Sequence, residues 1–363
     1  MGTSLLTNQS AMNALQTLRS IGDSMDATQR RVSTGLRINE ASDNTAYWSI
    51  SSAMRSDRNT LSAVSDAMSL GKSQIDVADT TINKSKDYLD NISKSLMTAY
   101  EKGEGDVKKI QNDIKGNMED IKSAVYSASL AEKNILGSGG ATMQIAGAYR
   151  REGSNVYVDM INVGGATLNF AQPDADKPGE FDLTKGVLQS VFGTSGKTAK
   201  DLQDAAKDLD TALAGTAADP SQNPPVEAKP ATPDQIAAAN KTFKDAIKGF
   251  TVADFVNTDL TGLSDAAIKD IIDVTQSSRA TATDNVITAG ASLGAAKAQV
   301  TGQIDYVSKL MDAIDKGVGS LVDADMNAES ARLASLQVQQ QLGIQALSIA
   351  NQNSQNILSL FRQ

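Results

Sequence analysis

Three short stretches of this 363-residue chain hold residue types that could do chemistry. GTSGKT, at 193–198, has the look of a phosphate-binding loop, in which backbone N–H groups cradle phosphates and a lysine reaches them. That pattern requires glycine at position 191, where Val191 stands, and no buried parallel strand clearly precedes the segment. An exposed turn is the expectation. DADMNAES, at 323–330, sets Asp323, Asp325 and Asn327 at the first, third and fifth positions of a calcium loop. Such a loop needs glycine sixth and a bidentate glutamate twelfth, and Ala328 and Ala334 stand there instead. The better expectation is a helix break, with acidic residues entering the next helix where its dipole favours them. Tyr47 and Trp48 stand at a helix start and are expected as a packing anchor, with interface binding the minority reading. Met25, Met54 and Met68 belong to helix packing rather than to a ligand box.

The composition removes most catalytic routes. There is no histidine and no cysteine, which eliminates Ser–His and Cys–His nucleophile pairs and His-containing zinc sites together. No acid–base pair and no cofactor loop stands out, so neither an enzyme nor a bound cofactor or metal is expected. A net charge of −9 argues against nucleic acid as a partner. No run of 18 apolar residues is present, so no helix is expected to span a membrane. The start MGTSLLTNQSAMNALQ has no basic region followed by a continuous apolar stretch, so a cleaved secretory signal is not expected. Aromatics are 4% of the chain, which suits helix-on-helix seams better than a large mixed core.

The elements that would position these residues are long helices. All seven prolines fall between Pro173 and Pro233, and proline is excluded from helix interiors. The flanks are therefore free to be helical. Met54, Leu61, Met68, Ile75, Ile82, Leu89 and Leu96 recur every seventh residue, the repeat of a coiled-coil seam. Over 50–99 this predicts a rod of about 75 Å. Val286, Leu293, Val300, Val307, Ile314 and Leu321 repeat the pattern in a second helix over roughly 265–322. A shorter helix covers 107–125, joined to the first rod by a turn at EKGEGD, 101–106. Outside the rods, apolar residues at three-four spacing, including Leu15, Leu18, Met25 and Val32, predict an N-terminal helix over 11–36. Gly35 suits its C-terminal stop, and Ser42, Asp43 or Asn44 suits the next cap.

The C-terminal stretch 331–363 carries no charge between Arg332 and Arg362 and is apolar on two faces. Leu333, Leu336, Leu347, Ile357 and Phe361 form one stripe, suited to pairing with 11–36. Val338, Leu342, Ile349 and Leu360 form another, which needs neighbouring molecules. In the middle, 137–170 reads as strands around Val156, Val158 and Met160, 194–213 as a short helix, 220–233 as a stiff exposed loop, and 252–256 as a strand following a helix. The fold class is mainly α: long nested antiparallel helices, a terminal pair plus a three-helix rod, with a small β-containing variable region midway.

The segments SLLTNQSAMNALQTLRSI, QRRVSTGLRINEASDNTAYWSISSAMRSD and DADMNAESARLASLQVQQQLGIQALSIANQNSQNILSLFR resemble bacterial flagellin, and SDNTAYWSI resembles its alphaproteobacterial branch. The likeness covers roughly 3–135 and 265–363. It implies an extracellular helical homopolymer, the flagellar filament used in swimming. By this resemblance 1–40 and 323–363 would form an inner-tube domain, 41–170 and 251–322 a surrounding rod domain, and 171–250 a solvent-facing outer domain. The implied partners are other copies of the chain, other flagellins, an export chaperone acting before type III export, the filament cap and hook-junction proteins. Within the family a hook–filament junction protein is the rival, and a carbohydrate-binding outer domain is a further alternative.

The family's plant-receptor epitope matches 29–50, including Arg31, Ser33, Gly35, Arg37, Asn39 and Asp43. Glu40, Asn44 and Tyr47 depart from its usual pattern. The vertebrate-receptor patch matches 89–98: Leu89 and Ile92 are kept, while Asn91 and Lys94 stand where the patch has other residues. Weak recognition by both receptors is the expectation.

Overall fold

The computed structural model describes residues 8–102, 104–152, 155–174, 177, 179–197, 199–215 and 229–360. The elements in order are α1 (Gln9–Thr34), α2 (Thr45–Lys102), α3 (Glu104–Ser127), β1 (Thr142–Glu152), β2 (Asn155–Gly164), a 3-10 turn (Ala166–Leu168), β3 (Gln172–Pro173), β4 (Phe181–Asp182), α4 (Gln189–Phe192), α5 (Ala199–Ala214), α6 (Pro233–Ala246), α7 (Val252–Asn257), α8 (Asp265–Val322) and α9 (Met326–Leu360). The protein is mainly α-helical, with two small antiparallel two-stranded sheets, β1–β2 and β3–β4.

The chain divides into two compact units. A terminal unit joins Met1–Ala63 to Val307–Gln363, and a central unit spans Val64–Tyr306. In the central unit α2 and α8 run antiparallel, tied where Lys297 Nζ meets Asp76 at 2.8 Å and Asp79 at 3.2 Å. Further along, Gln276 Nε2 donates to Ser93 Oγ at 2.7 Å. Between and just beyond these ties Met68, Ile75, Ile82, Leu89, Ile92 and Leu96 of α2 are buried, as are Val286, Leu293 and Val300 of α8 and Ile114 and Ile121 of α3. Heptad spacing puts the α2 and α8 residues on one seam.

A second core lies within 170–255. Phe170, Phe243, Phe250 and Phe255 are all fully buried, and six of the seven phenylalanines fall in this span rather than along the seam. Gln111 of α3 ties α7 in place, donating to the carbonyls of Phe255 and Thr258 at 2.6 and 2.9 Å. Residues 252–256, expected as a strand, are helix α7. Thr251 and Asp254 close a capping box at its start, and side chain and backbone satisfying each other there fixes a helix. Helix also takes over most of the EKGEGD segment read as a turn, since α2 reaches Lys102 and α3 begins at Glu104.

The β1–β2 hairpin pairs Ile145 with Ile161 and Tyr149 with Val158, with a bulge between Ala146 and Ala148. Ile145, Ile161 and Val163 are buried, while Val158 and Met160 are exposed. The apolar residues first picked out thus lie on the open face; Val156's side chain lies outside the described residues, as does most of the 220–233 loop.

Candidate subunit-packing surface

In the terminal unit α1 and α9 pair antiparallel. Asn8 Nδ2 donates to the Ala350 carbonyl at 3.0 Å, and Arg31 Nη1 meets Glu329 Oε1 at 3.3 Å. Between these ends the helices approach closely at Gly343, where an added Cβ would lie 2.9 Å from a Leu18 methyl. Gly35 ends α1 at φ 70°, and its N–H reaches the Arg31 carbonyl at 2.9 Å. That left-handed stop is one glycine adopts without strain.

The two linkers then fasten each other. Leu36 and Asp323 form a β-bridge, Arg37 N–H donates to the Val322 carbonyl at 2.7 Å, and Ala324 N–H donates to the Gly35 carbonyl at 2.9 Å. Arg37 Nη2 donates to the Leu321 carbonyl at 2.8 Å. Beneath them Ile38, Val318 and Val322 form a small core, flanked by Leu36, Met54, Ile314 and Leu321. Asn44 caps α2 by accepting from Tyr47 N–H at 3.1 Å. Asp43 accepts from Asn39 and Glu40 N–H, and those bonds hold its carboxyl below the ordinary value.

The terminal pair covers little of itself. On α1 only Ala11 and Thr28 are buried, and among the described side chains of α9 only Leu336 is. Leu18, Met25, Val32, Leu333 and Leu347 are half-buried along the contact, and Leu15 is exposed. At 100° per residue, Val338, Leu342 and Ile349 lie on the side of α9 opposite Leu336. They are 55%, 58% and 62% exposed. Gln339, Gln341, Asn351 and Gln352 beside them are exposed too. The side chains of Ile357 and Leu360, and Phe361, lie outside the described residues. Charge is balanced: ten basic and ten acidic residues fall in this unit, leaving 24 basic and 33 acidic ones, the whole −9, in the central unit.

Sequence reasoning missed several exposed apolar residues here. Met12 on α1 is 62% exposed and Ile344 on the flank of α9 is 56% exposed. Tyr47, Trp48 and Ile50 at the start of α2 are also exposed, so the aromatic pair is not an anchor within the chain. Its position at a helix start, just after a capping asparagine, was the available signal. Of the seam residues in this unit, Leu61 and Val307 are buried, whereas Met54, Ile314 and Leu321 are half-buried.

The other candidate sites resolve into structural fittings. In the GTSGKT loop, Ser195 N–H donates to Asp254 Oδ2 at 2.8 Å, and Thr251 Oγ1 donates to the Gly193 carbonyl at 2.6 Å. A loop amide that would face a phosphate is committed to a carboxylate; Thr198 lies outside the described residues. Asp325 caps α9, accepting from Asn327 and Ala328 N–H at 3.0 and 3.2 Å. Among the described residues no cluster of acidic side chains could hold a metal, and no helix is long and apolar enough to cross a membrane. Of the two receptor-like segments, Arg31, Gly35 and Arg37 are engaged in the ties above, and Ser33 and Asn39 are exposed. In the other segment Leu89 and Ile92 are buried, while Asn91 and Lys94 are exposed.

The terminal pair thus leaves an apolar face uncovered in a charge-balanced unit of a mainly helical chain. Residues 5–172 match the bacterial flagellin N-terminal helical region, and 279–361 match the bacterial flagellin C-terminal helical region. The chain is 48% identical to a flagellin of Bartonella bacilliformis, over 96% of this chain and 97% of that one. It is 38% identical to a flagellin of Brucella melitensis biotype 1, over 99% of each, and 37% identical to flagellin A of Rhizobium meliloti, over 99% and 100%. The chain belongs to the bacterial flagellins, in their alphaproteobacterial group. It is a structural subunit of the extracellular flagellar filament, a homopolymer, and not an enzyme.

Proposed function

We propose that the uncovered faces of α1 and α9 are where successive subunits meet in the filament. Leu18, Met25, Val32, Leu333, Leu336 and Leu347 close the pair within one subunit, and Leu15, Val338, Leu342 and Ile349 reach into neighbours. The carrying observation is the stripe of Val338, Leu342 and Ile349, exposed on the side of α9 turned away from α1. Burying such a stripe against another apolar surface is favourable by about 1.5–3 kcal/mol per large side chain. The charge balance of this unit supports the same reading, because symmetric packing multiplies any like-charge repulsion. On this reading 1–40 and 323–363 form the inner tube, the α2, α3 and α8 seam forms the rod, and 171–250 faces solvent.

The export chaperone, filament cap and hook-junction proteins fit the same face as partners. Each must engage subunits whose terminal helices are not yet, or only partly, covered. Recognition by the plant and vertebrate immune receptors is weak, since Glu40, Asn44, Tyr47, Asn91 and Lys94 change the segments that carry it. Nanomolar immune activation by a 29–50 peptide, or strong reporter-cell activation by purified subunit, would refute that part.

The decisive experiment is seeded growth. Subunits carrying Ile349→Asp or Leu347→Asp should be exported but fail to extend filament seeds, as followed by sedimentation and electron microscopy. Normal filaments from either variant would remove this reading.

A further inference from the structure

We propose that Met12 is an oxidation site that switches assembly: its thioether takes one oxygen atom from a peroxide in the free subunit, and the sulfoxide excludes that subunit from the filament. This rests on the reading that the open face of α1 is covered on assembly. Met12 is 62% exposed, matched in the terminal unit only by Ile349 among the described large apolar residues. Leu15, also exposed, stands one turn further along the helix. Met12 and Leu15 thus share an exposed part of α1.

A second observation concerns competition. The chain has no cysteine, so thioethers are its softest nucleophiles and no thiol intercepts an oxidant first. The other methionines divide by access. Met68 and Met118 are buried, Met25, Met143 and Met311 are half-buried, Met54 is half-buried against Gly317, and Met1 lies outside the described residues. Met97, Met160 and Met326 are exposed, but Met97 and Met160 belong to the central unit and Met326 opens α9 beside its capping Asp325.

The step is balanced with hydrogen peroxide as oxidant. The sulfur lone pair attacks one peroxide oxygen, the O–O bond breaks and an S–O bond forms. Sulfur loses two electrons, and the departing oxygen leaves as water with both protons. The product replaces a flexible apolar side chain with a polar, chiral one. Its oxygen then needs a hydrogen-bond donor, and burying it without one is unfavourable.

The test treats free subunits and sheared filaments with the same hydrogen peroxide, maps sulfoxides by peptide mass, and measures the critical concentration for seeded growth. Met12 should oxidise at least about tenfold more slowly in filaments, and subunits oxidised at Met12 should show a critical concentration about tenfold higher. Methionine sulfoxide reductases should restore growth. Met12→Leu subunits, checked for unchanged helicity, should keep growing after treatment, whereas subunits carrying Met97→Leu, Met160→Leu and Met326→Leu together should still be inhibited. Normal growth of Met12-oxidised subunits, or equal inhibition of Met12→Leu and the unaltered chain, overturns the switch while leaving the packing reading in place. Equal Met12 oxidation in subunits and filaments overturns the covered-face reading for α1 and the switch with it.

Discussion

Along α2 and α8 one seven-residue repeat is finished differently in the two units. In the central unit Met68, Ile75, Ile82, Leu89, Val286 and Leu293 are buried in the seam. In the terminal unit Leu61 and Val307 are buried but Met54, Ile314 and Leu321 are only half-buried, and α1 and α9 leave Met12, Leu15, Val338, Leu342, Ile344 and Ile349 in the open. Charge follows the same division, with balance in the terminal unit and the full −9 in the central one. The difference teaches that cohesion within the chain is concentrated in the central unit, and on the proposed reading the terminal unit keeps its apolar surface for neighbours.

The largest test of that division pits a buried seam residue against an open one. Ile75→Asp places an unpaired carboxylate in a fully buried site and should destabilise the central unit by about 4 kcal/mol or more, read by circular dichroism on heating. Leu342→Asp should leave the same transition within about 0.5 kcal/mol yet abolish growth on seeds. Equal losses of stability would break the comparison. Next in size, Gly343→Val forces a side chain against Leu18 and should weaken the α1–α9 pairing by about 1–3 kcal/mol. Faster amide exchange confined to those helices would show it.

The acid response sharpens the division more gently. Asp76 is held below its ordinary pKa, first by the hydrogen bond from Lys297 and then by the one from Lys72. A lowered folded value means its stabilisation is present above about pH 4 and fades as pH falls through that lowered value. Lys297 is raised by Asp76 and then Asp79, so its contribution holds below its ordinary value of 10.5 and is lost only as pH climbs through the raised one. With no histidine, the melting temperature of the central unit should be flat from about pH 5 to 9 and fall below that. Lys297→Met should shrink the acid drop. Smallest of all, Arg31→Ala removes a partly exposed ion pair and should cost no more than about 1 kcal/mol, measured as amide exchange in α1.

Much of this was legible because helix periodicity is a long-range signal. The second rod, expected over roughly 265–322, is α8 at Asp265–Val322, and Gly35 ends α1. Short elements were less legible. Val252, Phe255 and Val256 fit either period over so few residues, and only the Thr251–Asp254 box decides for a helix. Alternation in the hairpin distinguishes two faces but not which one is covered, so Val158 and Met160 drew notice while Ile161 and Val163 do the packing. A low aromatic total hid the local concentration of phenylalanine within 170–255. At the candidate site the two stripes of α9 were readable from spacing. The exposure of Met12 and Ile344 was not, because it depends on how little of each helix its partner shadows.

The hydrogen bond from Asn8 to Ala350 joins residues 342 positions apart. No contact of that kind can form while either end of the chain is still being made, and closing so long a loop comes late in folding. On the proposed reading, the surface that adds a subunit to its neighbours is therefore the last part to form. A chain broken off anywhere before α9 would lack it altogether, so on that reading assembly would depend on a complete chain.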